Sequence, residues 1–100
     1  MAIMEITVVP VGTGSTSLSG FVAEVVRTLD DTGLKYQITP MGTVVEGELA
    51  LLLATAARMH EKPFTMGAKR VATTIKIDDR RDKPLSMEAK VRAVAEKLAY

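Results

Sequence analysis

Residues 34–47, Leu34-Lys-Tyr-Gln-Ile-Thr-Pro-Met-Gly-Thr-Val-Val-Glu-Gly47, decide how this chain folds. Two runs of strand-forming residues, Leu34–Thr39 and Thr43–Gly47, flank the short stretch Pro40-Met41-Gly42. Proline and glycine between two such runs signal a hairpin. With Met41-Gly42 at the centre of the turn, Thr39 pairs with Val44 and Gln37 with Glu46. A hairpin alone is marginal in water and needs further strands or a helix to cover one face. Both are present on either side. Upstream, Ile3–Val11 alternates, with Met4, Ile6 and Val8 on one side and Glu5, Thr7 and Val9 on the other. Downstream, Ala68–Asp78 alternates likewise, with Val71, Thr73, Ile75 and Ile77 on one side.

Helical spacing fills the gaps between these strands. After the turn-rich Gly12–Ser17, Leu18, Phe21, Val22, Val25, Val26 and Leu29 recur at helical intervals, with Ser17 as the expected N-cap and Gly33 as the closing glycine. A second helix is expected over Glu48–Glu61, stopped by Pro63. Asp79–Pro84 reads as a charged turn. Ser86 then caps a last helix, with Glu88 in its first turn and Met87, Val91, Val94 and Leu98 as its apolar stripe. The order β-α-β-β-α-β-α is that of an α+β chain. It predicts a ferredoxin-like βαββαβ fold, a four-stranded antiparallel sheet with two helices on one face and a C-terminal helix appended. With 100 residues the chain is expected to form one domain, residues 1–100.

Composition excludes several classes of function. A net charge of +1 gives no basic stripe for nucleic acid, and four aromatic residues make a poor base-stacking platform. Cysteine is absent, which removes thiolate chemistry and fits a cytoplasmic protein. The longest apolar run, Leu49–Ala57, is too short for a bilayer and reads as a buried helix, so no membrane is expected. The N-terminus opens on a strand pattern, which does not resemble a signal peptide. His60 is the only histidine, so no metal site and no cofactor are expected. The Gly12–Ser17 loop precedes a helix but lacks the lysine and spacing of a phosphate loop. The Asp78–Lys83 charge run reads as salt bridges at a corner.

Two helices on one face leave the other face of the sheet to water or to a partner. It is expected to carry Glu5, Thr7 and Val9 from the first strand, Gln37, Thr39, Val44 and Glu46 from the hairpin, and Arg70, Ala72, Thr74 and Lys76 from the fourth. A one-residue slip would bring Thr43 there instead. Such a set is either a solvated face with cross-strand ion pairs or a self-complementary dimer face holding a polar ligand.

The segment Y-x-x-x-P-M-G-T-x-x-E-G (Tyr36 to Gly47) resembles that of the small thiamine-binding (YkoF-like) family. V-P-V-G-T-G-S-T-S-L-S-G-F-V-A (Val9 to Ala23) and R-V-A-T-T-I-K-I-D-D-R-R-D (Arg70 to Asp82) are similar to it in order and spacing. The resemblance implies a ferredoxin-like fold and pairing through sheet faces, with two such dimers in a homotetramer. It also implies binding of thiamine or its pyrimidine portion, with no catalysis. Thiamine carries a cationic thiazolium and an aminopyrimidine, so its site needs a carboxylate, hydrogen-bonding groups and a flat wall. Glu46 is the leading carboxylate, with an ion pair to Lys76 or Arg70 as the alternative. Thr39 and Thr43 are candidates to bond the pyrimidine, and Tyr36 to stack on a ring. Gln37, Thr7 and Arg70 complete the set by their expected facing. Val9, Val44 or Met41 would have to supply an aliphatic wall. Two other readings compete: a structural or regulatory oligomer with no small ligand, and a hydrolase of acylphosphatase-like type. The latter would resemble a family that uses an Arg in the first loop and an Asn on the sheet. This chain has no Asn, and its first loop has no Arg.

Overall fold

The computed structural model describes residues 1–99, and Tyr100 lies outside them. The elements run β1 (Ala2–Pro10), α1 (Ser19–Arg27), β2 (Lys35–Thr39), β3 (Gly42–Gly47), α2 (Leu49–Thr65), β4 (Val71–Asp79) and α3 (Met87–Leu98). The four strands form one antiparallel sheet in the order β2-β3-β1-β4. This is the expected ferredoxin-like α+β arrangement.

One face of the sheet carries the main core. Ala2, Met4, Ile6 and Val8 of β1 and Val45 of β3 pack against Val25 of α1, Leu29 just beyond it, and Leu52, Ala56 and Met59 of α2. The alternation in β1 is what makes this possible, since every second side chain points at the helices. Ile77 and Ile75 stand opposite Met4 and Ile6, so β4 presents its apolar side to the same layer.

Four expectations about local structure need correction. The hairpin is shifted by two residues: Thr39 pairs with Gly42, Gln37 with Val44 and Lys35 with Glu46, and the loop is Pro40-Met41. Proline is pre-set for the first position of such a turn. The Thr39 hydroxyl accepts the Met41 N–H at 3.3 Å and donates to the Gly42 carbonyl at 2.9 Å. Gly42 belongs to the strand, where its role is close approach: a Cβ there would lie 2.8 Å from Thr7 Oγ1. A shift of two preserves the facing of every residue, because strand side chains repeat every second position.

Secondly, α1 begins at Ser19 and not after a Ser17 cap. Ser17 is drawn into its own turn, donating its N–H to Ser15 Oγ, and Leu18 takes the N-cap position without a side-chain bond. The helix also stops at Arg27, earlier than the apolar spacing suggests. Three-residue turns from Thr28 to Asp30 continue its path and still carry Leu29 into the core. Thirdly, Pro63 does not end α2, which runs on to Thr65 with Pro63 buried in its last turn. The stop comes at Gly67, whose φ is +99°. Gly67 N–H bonds the Phe64 carbonyl and Ala68 N–H bonds that of Pro63, a Schellman closure. Finally, the fourth strand begins at Val71 rather than Ala68, because Ala68 is consumed in that closure.

The last helix behaves as expected at its start and differently along its length. Ser86 Oγ accepts the Ala89 N–H at 3.1 Å, the expected cap. Met87 is buried, but the rest of the stripe is not: Val91, Val94 and Leu98 are 68%, 59% and 61% exposed.

Candidate functional site

Strand pairing aligns the residues of the open face in rows that cross the sheet from β2 to β4. The first row is Lys35, Glu46, Ile3 and Asp78, and the second is Gln37, Val44, Glu5 and Lys76. Thr39 and Gly42 continue the third on one side and Thr7 and Thr74 on the other.

The start of α3 occupies the first row completely. Glu46 Oε2 accepts the N–H of Met87, the first residue of α3, at 2.8 Å. A carboxylate there satisfies an N–H left free at the helix start and faces the positive end of the helix dipole. Glu88 forms an ion pair with Lys35, and Lys90 forms one with Asp78. The Glu88 contact holds the Lys35 pKa above its usual value, and the same contact holds that of Glu88 below the usual carboxylate range. Leu85 and Met87 pack on Ile3, with Val44 half-buried against them, as a small second core on this face.

The third row is tied to the hairpin turn. Thr7 Oγ1 donates to the Met41 carbonyl at 3.0 Å, on the same loop that Thr39 braces. In the second row Val44 touches the small core under α3, while the side chains of Gln37, Glu5 and Lys76 make no hydrogen bond or ion pair among the described residues. Among the described residues no ion pair joins Glu5 to Lys76, although they stand opposite each other on β1 and β4. Glu5 lines a small concavity of about 170 Å³ with Ile3, Val44, Lys76, Asp78 and Lys90. Gln37 borders another, of about 280 Å³, with Met87, Glu88, Val91 and Arg92.

The sequence-derived candidates therefore separate into groups. Thr7, Gln37, Thr39 and Glu46 share the open face, and Arg70 precedes β4 on the same side. Arg70 sits at the far end from Asp78, the β4 residue in the row of Glu46, and its carbonyl accepts the Val11 N–H. Glu46 pairs with neither Arg70 nor Lys76; its partner is the α3 backbone. Thr43 and Tyr36 lie on the opposite face, because they stand across from Ile6 and Val45. Thr43 is buried, and Tyr36 lines a groove between α1 and β2 with Val22, Val26 and Ile38. No single site on one face holds all seven.

Elsewhere the chemistry is structural. His60 Nδ1 lies 2.7 Å from Thr73 Oγ1 and its ring meets Phe64 edge-on, tying α2 to β4. A concavity of about 740 Å³ is lined by Met1, Glu48, Leu49 and the corner Asp79–Leu85. Four of its charges are mutually paired, Arg80 with Asp82 at 2.6 Å and Arg81 with Asp79 at 2.7 Å. Arg80 brings the Asp82 carboxyl down to about 2, and Arg81 lowers that of Asp79. Among the described residues no cluster of three or more His, Asp or Glu could hold a metal ion. No helix among them is long and apolar enough to cross a membrane.

What the sequence does not reveal is the availability of Glu5. The bond that commits Glu46 joins residues 41 apart in the chain, and no spacing rule reaches that far. The charge pattern of α3 holds the one usable signal, since Glu88 and Lys90 follow the Ser86 cap with opposite signs.

A four-stranded antiparallel sheet in this order, with two helices on one face and a polar, partly covered face on the other, defines a ferredoxin-like α+β fold. Residues 4–95 match the family model described as Thiamine-binding protein, and the chain belongs to that family. It is 47% identical over 98 residues to the UPF0045 protein YqgV of Bacillus subtilis (strain 168), covering 94% of each chain. The hypothetical protein MJ1052 of Methanocaldococcus jannaschii superposes with a TM-score of 0.86 at 32% identity, over 95% of this chain and 96% of that one. A Thermotoga maritima protein named for thiamine biosynthesis or salvage superposes with a TM-score of 0.77 at 24% identity, over 93% and 97%, which is a likeness of fold.

Proposed function

We propose that this protein binds thiamine or a related pyrimidine-containing molecule without transforming it, as a cytoplasmic carrier or sensor. Residues 1–100 act as one domain, and two copies meet through their open sheet faces, two such dimers forming a tetramer. The observation that carries the reading is the set of unengaged polar side chains in the middle of the open face, Gln37, Glu5 and Lys76, in a chain of the thiamine-binding family. A face of this kind offers what a cationic heterocycle needs: a carboxylate, an amide, a hydroxyl and small apolar residues between them.

The exposed stripe of α3 supports the paired state. Val91, Val94 and Leu98 lie on one side of a helix whose first residue sits on the open face. A contiguous apolar surface beside a polar pocket is the usual mark of an interface. A catalytic reading finds less support, because His60 is held by Thr73 and the acylphosphatase-like residue set is missing from the sequence.

Calorimetric titration of the protein with thiamine tests the reading. Saturable binding is expected. No heat with thiamine, its phosphates or its pyrimidine fragment would overturn it and leave a purely structural oligomer as the alternative.

A further inference from the structure

The sheet has two outer edges, and they differ in kind. β2 has five residues, and its first, Lys35, is held by Glu88 of α3. β4 has nine, contains no proline, and pairs one to one with β1 from Val71 to Asp79 without a bulge. The Arg70 carbonyl accepts the Val11 N–H, so Arg70, Ala72, Thr74, Lys76 and Asp78 turn their backbone groups towards β1. Val71, Thr73, Ile75, Ile77 and Asp79 turn theirs outward, an open ladder about 30 Å long. Ile75 and Ile77 are exposed beside it, as are Leu53 and Phe64 of α2, the helix that His60 ties to Thr73. An edge this long and apolar is a template for another strand, and folded proteins cover or blunt it.

We infer that β4 pairs antiparallel with β4 of a second copy about a two-fold axis at Thr74, joining two sheets into one. The charges choose the register. Lys69 and Arg70 precede the strand and Asp78 and Asp79 end it, so antiparallel copies bring opposite signs together. With the axis at Thr74, Arg70 lies across from the partner's Asp78, and Ala72 from the partner's Lys76. On the helix side, Val71 meets the partner's Ile77 and Thr73 the partner's Ile75. An axis at Thr73 would set Arg70 against the partner's Lys76, and one at Ile75 would set it against the partner's Arg80. Like charges directly opposite destabilise a ladder, so both are disfavoured. Among the described residues Arg70 has no ion pair in its own chain, and Asp78 engages Lys90 through Oδ2 alone.

This seam is separate from the face-to-face pairing proposed above. It uses the edge of the sheet and leaves the open face free, and with both contacts in place it joins one dimer to the next. The alternative is a solvated edge, on which Arg70 and Lys76 act as guards against pairing.

The chain has no cysteine, so single cysteines report the seam directly. Thr74 and Ala72 are both exposed on the same face of β4, and either substitution leaves the core intact. On the two-fold axis the two copies of residue 74 lie about 4.5 Å apart at Cα, within disulfide reach. Mild oxidation of Thr74→Cys is expected to give mostly covalent dimer. Ala72→Cys is expected to link about tenfold less, because the two copies of residue 72 lie roughly 13 Å apart along the strands. Stacked sheets sit about 10 Å apart, so face-to-face pairing alone does not link residue 74. In sedimentation velocity, Arg70→Asp sets carboxylates against each other at both ends of the seam and is expected to halve the sedimenting mass, with melting like that of the unaltered chain. No linkage at residue 74, equal linkage at both positions, or an unchanged mass in Arg70→Asp overturns the inference. Each of these outcomes leaves thiamine titration, and the function it tests, untouched.

Discussion

Helices α2 and α3 carry apolar residues at the same helical spacing, yet they meet different fates. In α2, Leu52, Thr55, Ala56, Met59 and Pro63 form one buried line against the sheet. In α3, only Met87 is buried, while Val91, Val94 and Leu98 remain exposed. The α2 line faces a complete layer, the inward side of β1 and β3, and α1 closes its flank. The α3 stripe has no such layer within one chain. Its helix is held at its first turns by Glu46, Lys35 and Asp78, all of them polar attachments. Periodicity thus reports that a helix has an apolar side, and it says nothing about whether the covering surface belongs to the same chain.

The comparison is broken most severely in α2. Leu52→Ala removes a fully buried side chain from the middle of the core, next to Ala56 and close to Gly47. The expected loss of stability is about 2–5 kcal/mol, the range for large-to-small changes where the cavity collapses only partly. Chemical denaturation measures it, and a loss below about 1 kcal/mol would mean that α2 does not anchor the core as described.

A smaller effect is expected where α3 is attached. Glu46→Ala deletes the carboxylate that receives the Met87 N–H and leaves that donor near a partly apolar cluster. A charge-assisted bond of this kind contributes about 1–3 kcal/mol. Denaturation measures the loss, and amide exchange at Met87 and Ala89 locates it. Exchange unchanged at both positions would show that Ser86 alone holds the helix start.

These two regions also mark how far the sequence could be read. The alternation in Ile3–Val11 specifies which side of that strand is covered, and Met4, Ile6 and Val8 all enter the core; in residues 71–77 it gives the facing, but Ile75 and Ile77 at the sheet edge stay 42% and 36% exposed. The facing of the hairpin survives a misjudged register because the error is an even number of residues. The placement of Thr43 and Tyr36 follows from the same parity, which puts them with Ile6 and Val45 on the helix side. Local rules fail where a local preference is overruled by longer-range structure. Proline is a helix breaker in the interior, but in the last turn of α2 it forfeits a single bond and gains burial. The engagement of Glu46 is of another kind. It depends on a helix 41 residues later folding back over the sheet, and no window of sequence contains both partners.

The smallest effect on the chain itself is expected in the exposed stripe, and it sharpens the comparison most. Val94 sits mid-helix and is 59% exposed, so Val94→Asp removes little buried surface from a single copy. The change should alter the stability of an isolated chain by about 0.5 kcal/mol or less from surface effects. In an assembly that buries the stripe, the same carboxylate would be forced into an apolar interface without a partner, and association would be strongly weakened. Sedimentation velocity separates the two situations. An assembled unaltered protein and a monomeric Val94→Asp variant of near-equal folded stability would show that the stripe of α3 is covered by a second copy. An assembly that persists unchanged in the variant would mean that the copies meet elsewhere. The difference between α2 and α3 would then lie in tolerance of an exposed apolar side, with no partner required to explain it.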